Sequence, residues 1–190
     1  MVVWRRCHDQ PEQFSKLCTR NLVMPVILLA ILAVNYAVAS PPDGHWKIVW
    51  SCKGATGAFE NPCRDGANDY FELRLWTHGD EICGFHDATS HLQQRSDDGE
   101  NIDGKPSVTG TFHGNLARVT FRSTRVENKE FGATLRALGK KLIWKRIHPR
   151  NDGPLLPDNA TLLKRDDVGN EMDEDIYARQ AAVCAESLSR

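Results

Sequence analysis

The stretch PSVTGTFHGNLARVTFRS, residues 106 to 123, decides the fold. Its apolar side chains recur at every second position on both sides of a break at residues 113–115, which is the period of a half-buried β-strand. Gly114, in the middle of the break, is typical of a tight turn. The stretch therefore predicts a β-hairpin with one apolar face. Its inward positions are Val108, Gly110, Phe112, Ala117, Val119 and Phe121.

The same alternation recurs along most of the chain, between turn signals. It is found in WKIVWSC (46–52), YFELRLWT (70–77), EICGFHDA (81–88), GATLRAL (132–138), LIWKRI (142–147) and, as a short edge strand, ATLL (160–163). Seven or eight half-apolar strands with short connections must close on themselves or stack to bury that face. We expect an all-β chain that forms a small antiparallel up-and-down β-barrel, with a β-sandwich as the alternative. Gly84 and Gly110 fit the bends that closure needs, and the polar run at 93–104 predicts a loop.

An apolar leader precedes the strand pattern. Residues 22–39 carry no charge, Lys16 and Arg20 stand before them, and Ala37 and Ala39 end them. Basic residues, an apolar core and a pair of small residues are typical of a secretory signal peptide. We predict cleavage after Ala39 and a secreted or periplasmic protein. The alternative is an uncleaved inner-membrane signal-anchor, which also exports the rest of the chain.

Export determines how the cysteines are interpreted. Without residues 1–39 the chain keeps 151 residues, enough for one domain, and four cysteines. An even number of cysteines in an exported chain predicts two disulfides. The sequence contains no CxxC pair, so a metal site formed by the cysteines is not expected. Cys52 ends a strand and Cys63 lies in the following loop, so we predict that they pair. Cys83–Cys184 follows by elimination and would attach the C-terminal segment to the barrel.

The C-terminal segment, residues 166–190, differs from the barrel domain at 40–165. It is rich in acidic residues, and helix formers run from residue 173 to 188. Met172, Ile176 and Val183 fall on one rough helical face. A docked helix and a frayed acidic tail both fit this pattern, and Cys184 favours docking.

Charge is unevenly distributed along the chain. Residues 80–103 hold seven acidic residues and one arginine, a net charge of −6, whereas residues 118–150 hold ten basic residues and two glutamates, a net charge of +8. The candidate binding residues lie opposite the apolar faces of their strands: Arg118, Arg122, Arg136 and Lys145. They predict a basic stripe outside the barrel, which the acidic tail would cover until a stronger anionic partner displaces it. The alternative is an ordinary polar exterior.

Motifs for catalysis or cofactor binding are not found in the sequence. There is no nucleophile elbow, phosphate loop or GxGxxG motif, and no metal or other cofactor is expected. His86 and Asp87, as strand neighbours, point to opposite faces and cannot orient one another as a base requires. We interpret the scattered histidines as surface residues. Without the leader the net charge is −3, which favours neither nucleic acid nor a membrane as a partner. We expect no nucleic acid, and membrane contact only through the leader if it is not cleaved.

These observations favour a non-catalytic exported binding protein of inhibitor or immunity type, which contacts a protein or anionic envelope partner through its basic exterior. The alternative is a lipocalin-like carrier of a small apolar ligand. Small exported barrels with disulfides include periplasmic inhibitors of lysozyme as well as lipocalin-like carriers. The similarity is one of architecture alone, and architecture does not imply function.

Overall fold

The computed structural model describes residues 41–101, 104–148, 153–166 and 171–189, so the predicted leader at 1–39 lies outside the described residues. The strands in these ranges are β1 (Gly44–Trp50), β2 (Asp69–His78), β3 (Glu81–Ser90), β4 (Arg95–Asp98), β5 (Val108–His113), β6 (Leu116–Ser123), β7 (Val126–Leu138), β8 (Lys141–Ile147) and β9 (Asn159–Arg165). The helices are α1 (Glu60–Arg64) and α2 (Glu171–Leu188), with 3-10 turns at Gly57–Phe59 and Gly99–Asn101. Neither helix in this part of the chain has the length and apolar character needed to cross a bilayer.

Eight of the strands close into an up-and-down barrel. Each strand pairs antiparallel with the next in the order β1-β2-β3-β5-β6-β7-β8-β9, and β9 pairs back onto β1. The predicted barrel is confirmed, and its closure excludes the sandwich. A strand is present near residue 160, as expected, but it is not a short edge strand. β9 has seven residues and pairs with both β8 and β1. An even strand count makes the first and last strands antiparallel, so they close the barrel without an edge.

The polar run that predicts a loop contains the extra strand, β4, and that expectation is wrong. β4 pairs with the C-terminal half of β3, residues 87–90, while β5 pairs with the N-terminal half, residues 81–84. β4 and β5 both pair with the edge of β3 that does not pair with β2. The two strands therefore lie end to end along that edge. The backbone groups of the long strand β3 need partners along their whole length, and β4 supplies them.

The barrel interior is filled by side chains. Its largest fully buried members are Trp46, Trp144, Phe71, Phe121, Leu73, Leu75, Ile82, Leu135, Leu142 and Leu162. The Trp144 ring lies 5.2 Å from the rings of both Phe71 and Phe121. The indole N–H groups of Trp46 and Trp144 donate to the carbonyl oxygens of Pro42 and Pro157, each at 2.7 Å. Because these polar groups are satisfied, the large rings can lie in the core without an unpaired donor.

Two inward glycines allow neighbouring strands to approach each other closely. A Cβ at Gly110 would lie 2.2 Å from the carbonyl oxygen of Arg118, and one at Gly84 would lie 2.5 Å from that of Arg74. Real Cβ atoms do not make contacts this short, so any side chain there would push the strands apart. Gly84 and Gly110 therefore serve the closure of the barrel, as their isolated positions in strands predict.

The cysteines lie in the two predicted pairs at disulfide distance. The Cα atoms are 5.6 Å apart in Cys52–Cys63 and 5.5 Å apart in Cys83–Cys184. The first pair ties the segment that contains α1 to the end of β1. The second ties α2 to the outside of β3. Ile176 and Val183 are partly buried on the barrel side of α2, as a docked helix requires.

The contrast between two strand glycines tests the closure geometry. We expect Gly110→Ala to lower the free energy of unfolding by at least about 2 kcal/mol, because overpacking moves the backbone. Gly132→Ala is the matched control, since its Cβ would meet only Ile147 side-chain atoms at 3.4 Å, and we expect a change within about 0.5 kcal/mol. Urea unfolding followed by tryptophan fluorescence measures both. Equal effects would contradict the close approach at Gly110.

Candidate binding surface

The predicted stripe residues lie on the outer wall formed by β6 to β9. Arg118 is directly opposite Thr134, which is directly opposite Lys145, and Arg136 lies two residues along β7 from Thr134. Neighbouring strands are about 4.8 Å apart, so the three cations lie within one small area. All three are exposed. Among the described residues, none of the three has an ion-pair partner.

This area also presents apolar side chains. We call its outward residues the basic face: Leu116, Arg118, Thr134, Arg136, Leu138, Lys141, Ile143, Lys145, Asn159, Thr161 and Leu163. The basic face contains four cations, four aliphatic residues and no acid. The aliphatic residues are substantially exposed: Leu116 by 44%, Leu138 by 45%, Ile143 by 37% and Leu163 by 53%.

Cations and aliphatic residues alternate in direct cross-strand registers. Arg136 lies between Leu116 and Ile143 in one row across the sheet. In the next row, Lys141 lies between Leu138 and Leu163. Single exposed aliphatic residues are common on protein surfaces. Four of them interleaved with cations form a continuous amphiphilic surface, which sequence periodicity did not reveal because neighbours in a row come from four different strands.

Arg122 does not belong to the basic face, although it points outward. It is half-buried, lies opposite Glu130, and donates from Nη2 to the carbonyl oxygen of Pro106 at 3.0 Å. It also lies four residues along β6 from Arg118, which is roughly 13 Å in a strand. Arg122 therefore faces outward, as predicted, but lies apart from the patch that the other three cations form.

The acidic tail does not cover the stripe in the part of the chain that the structure describes, so that expectation is wrong. Helix α2 packs against β2 and β3, where Tyr177 contacts Trp76 with ring centroids 5.0 Å apart and Cys184 bonds to Cys83. In an eight-stranded ring, the pair β2–β3 lies across the barrel from β7–β8. The described contact between the two regions is an exposed ion pair of Asp166 with Lys140 at 3.3 Å. The outward rings of Trp76 and Phe85 explain the choice of wall, because they are the apolar surface that the helix buries.

A polar cavity of about 80 Å³ lies between α2 and the barrel wall. Glu72, Asp87 and Asp98 line it and face one another in consecutive registers of β2 to β4, and Lys47 of β1 lies opposite Glu72. Three carboxylates in a row repel one another unless each is compensated. The compensation differs between Glu72 and Asp87.

Glu72 is buried among three basic side chains. Its carboxylate lies 2.9 Å from the Lys47 ammonium, 2.6 Å from Arg74 Nη2 and 3.0 Å from His45 Nε2. Neither ring nitrogen of His45 has a hydrogen-bond partner of good geometry among the described residues. Burial by itself raises the pKa of Glu72, but the contacts with His45 and the charge of Arg74 outweigh it and lower the pKa to about 2.

Asp87 has the opposite balance. The Tyr70 hydroxyl donates to its Oδ2 at 2.7 Å. Burial raises the pKa of Asp87, and the negative charges of Asp98 and Glu72 raise it further, against the lowering effect of the Tyr70 hydrogen bond and of Arg74. The same burial and the charge of Asp87 raise the pKa of Tyr70.

Polar contacts across the cavity attach α2 to the wall. Gln180 accepts from Arg74 at 3.1 Å and donates to Glu100 at 3.1 Å, and Arg179 Nε donates to Glu100 at 2.9 Å. Among the described residues, no three His, Cys, Asp or Glu side chains are arranged to hold a metal ion. The contacts of Arg74 and Glu100 with Gln180 and Arg179 clamp the helix to the barrel wall.

A second polar cluster lies inside the barrel, where sequence reasoning did not expect it. His86, interpreted as a surface residue, is only 2% exposed. Its Nδ1 lies 2.9 Å from the Ser107 hydroxyl, and its Nε2 lies 3.4 Å from Asp97 Oδ1. The three residue types match a hydrolase triad, but all three are buried, so a substrate does not reach the hydroxyl in this conformation.

Asp97 is the centre of that cluster. Besides the His86 contact, its carboxylate accepts from the Ser123 hydroxyl at 2.6 Å, the Thr124 amide and hydroxyl at 3.0 Å each, and the Leu155 amide at 3.0 Å. Burial by itself raises the pKa of Asp97, but His86 and the donated hydrogen bonds lower it to about 2. A carboxylate with five donors is a structural anchor.

Comparison with known proteins gave no match: no family model, curated protein or solved structure resembles this chain.

Opposite effects are expected from neutralising the two cavity carboxylates. Glu72→Gln should lower the free energy of unfolding by about 2–3 kcal/mol at pH 7, because a carboxylate with a pKa near 2 stabilises the fold in its charged form. That stability is present above pH 4.5, the ordinary value, and is lost as the pH falls towards 2. Asp87→Asn should raise stability at pH 7, since a raised pKa means that ionisation opposes folding. Urea unfolding from pH 3 to 7 distinguishes the two; a loss of stability at pH 7 in both variants would contradict this account.

Asp97→Asn tests the interior anchor. An amide accepts at one oxygen and turns an NH₂ group towards the donors, so we expect a loss of about 3–5 kcal/mol in the free energy of unfolding. Ser123→Ala removes one of the five contacts and should cost about 1–2 kcal/mol. The same denaturation measurement serves both. A loss below about 1 kcal/mol for Asp97→Asn would show that the anchor is dispensable.

Proposed function

We propose that this chain is exported, with its leader removed after Ala39, and acts as a non-catalytic binding protein of inhibitor or immunity type. Its partner is a protein or another anionic component of the envelope. The observation that carries the proposal is the basic face, where Arg118, Arg136, Lys141 and Lys145 are exposed with no acidic residue among them. Exposed like charges repel one another, and an anionic partner relieves that repulsion.

The disulfides support the compartment. Two disulfide-distance pairs are typical of a protein that folds in an oxidising environment, extracellular or periplasmic. The predicted signal peptide agrees with this location.

The interior supports a binding role at the surface more than a carrier role. Trp144, Phe71 and Phe121 contact one another in the middle of the barrel, where a carried ligand would lie. A lipocalin-like carrier of a small apolar ligand therefore has less support. The burial of His86 and Ser107 likewise favours a non-catalytic protein.

Charge reversal on the basic face tests the proposal. The face variant carries Arg118→Glu, Arg136→Glu and Lys145→Glu. Its matched control carries Lys53→Glu, Arg64→Glu and Arg95→Glu, three exposed cations outside the basic face, and changes the net charge equally. Each protein is immobilised and exposed to detergent-solubilised envelope components of its own host.

We expect the wild type and the control to retain the same component, with elution by salt, and the face variant to retain at least tenfold less. Several weak surface contacts act together here, so salt sensitivity should be steep. Equal, salt-insensitive retention by the face variant would contradict the proposed role of the basic face.

A further inference from the structure

We infer that the partner of the basic face is an anionic lipid bilayer surface, on which the barrel lies side-on. This inference rests on the proposed function and names the chemistry of its partner. It follows from the arrangement of charge and apolar side chains on one wall of the barrel, and from the charge of the opposite wall.

The positions of the aliphatic residues favour lipid over protein as the partner. Protein interfaces concentrate apolar and aromatic side chains at a centre from which lysine and the acidic residues are depleted. The basic face has no such centre, because Arg136 lies between Leu116 and Ile143 and Lys141 lies between two leucines. It also contains no aromatic residue. Long cations beside aliphatic side chains suit the headgroup region, where the cations reach phosphates and the aliphatic groups enter the acyl boundary.

The number of cations is sufficient for peripheral binding. Each Lys or Arg close to an anionic bilayer increases partitioning about fivefold. Four cations with no acid among them therefore provide attraction of about several hundredfold. The exposed parts of Leu116, Leu138, Ile143 and Leu163 add an apolar contribution that salt does not screen.

The opposite wall orients the molecule. Helix α2 has five acidic residues and one arginine in its sequence, a net charge of −4, and it covers β2 and β3 across the barrel from the basic face. An anionic surface attracts one wall and repels the other. The separation of charge therefore selects one orientation, with the basic face towards the bilayer and α2 towards solvent.

Vesicle binding tests the inference. The protein as processed by its host, the face variant and the control variant are sedimented with phosphatidylcholine vesicles that contain 0% or 30% phosphatidylglycerol. A fourth protein, the aliphatic variant, carries Ile143→Ser and Leu163→Ser. Pure phosphatidylcholine vesicles measure any contribution that does not depend on charge, including that of residues 22–39 if they are retained.

We expect the wild type and the control to bind the anionic vesicles and to be released as the salt concentration rises from 0.1 to 1 M, where the Debye length falls from about 10 to about 3 Å. The face variant should partition at least about a hundredfold more weakly, because it loses three cations and gains three acids, and the aliphatic variant about tenfold more weakly. Nitroxide-labelled lipid headgroups should broaden the amide NMR signals of β6 to β9 and not those of α2.

Each other outcome contradicts the inference at a different level. If anionic vesicles do not bind but the basic face still retains an envelope protein in a salt-dependent way, the lipid inference fails and the proposed function stands. If inorganic polyphosphate binds and vesicles do not, the face recognises charge alone and the lipid inference again fails. If the face variant equals the wild type in both vesicle binding and envelope capture, the inference and the proposed function fail together.

Discussion

The buried carboxylate of Asp97 is the constraint on which the rest of the barrel depends. A charge cannot stay out of water unless donors surround it, and here the donors come from three distant parts of the chain: His86 in β3, Ser123 and Thr124 at the β6–β7 turn, and the Leu155 amide before β9. Each donor fixes the position of its own segment. The anchor thus holds β4 against β3 and positions the connection from which β9 returns to close the barrel on β1.

The outer walls are specialised in opposite ways because only one of them is covered. On β2 and β3, the outward rings of Trp76 and Phe85 need an apolar partner, and α2 supplies it with a disulfide and a polar clamp at the edge. On the basic face the outward side chains include shorter aliphatic residues and cations, which are exposed. One wall is therefore covered by the C-terminal helix, whereas the basic face is exposed among the described residues.

The pairing of the cysteines follows from their number, their positions and elimination. Period-two alternation predicts the barrel and the bends at the strand glycines, because both depend on local pattern. It failed where polar residues face inward. β4 has no apolar alternation, since its inward residue is Asp97. His86 is buried, against the surface position expected for it, and shares a face with Ile82 and Gly84. That shared face was the available signal. Two further features depend on neighbours in three dimensions, which the order of residues along a single strand does not reveal. They are the wall against which α2 packs and the position of Arg122 outside the basic face.

The basic face and the anchor also differ in how strongly the structure constrains their residues. Asp97 must be a carboxylate, since an uncharged side chain cannot satisfy five donors, so its role is explained by folding alone. Arg118, Arg136 and Lys145 have no ion-pair partner within the described chain and do not contribute to the core, so the fold alone does not explain three cations in one patch. An anionic partner on this wall, as proposed, would relieve the mutual repulsion of these cations.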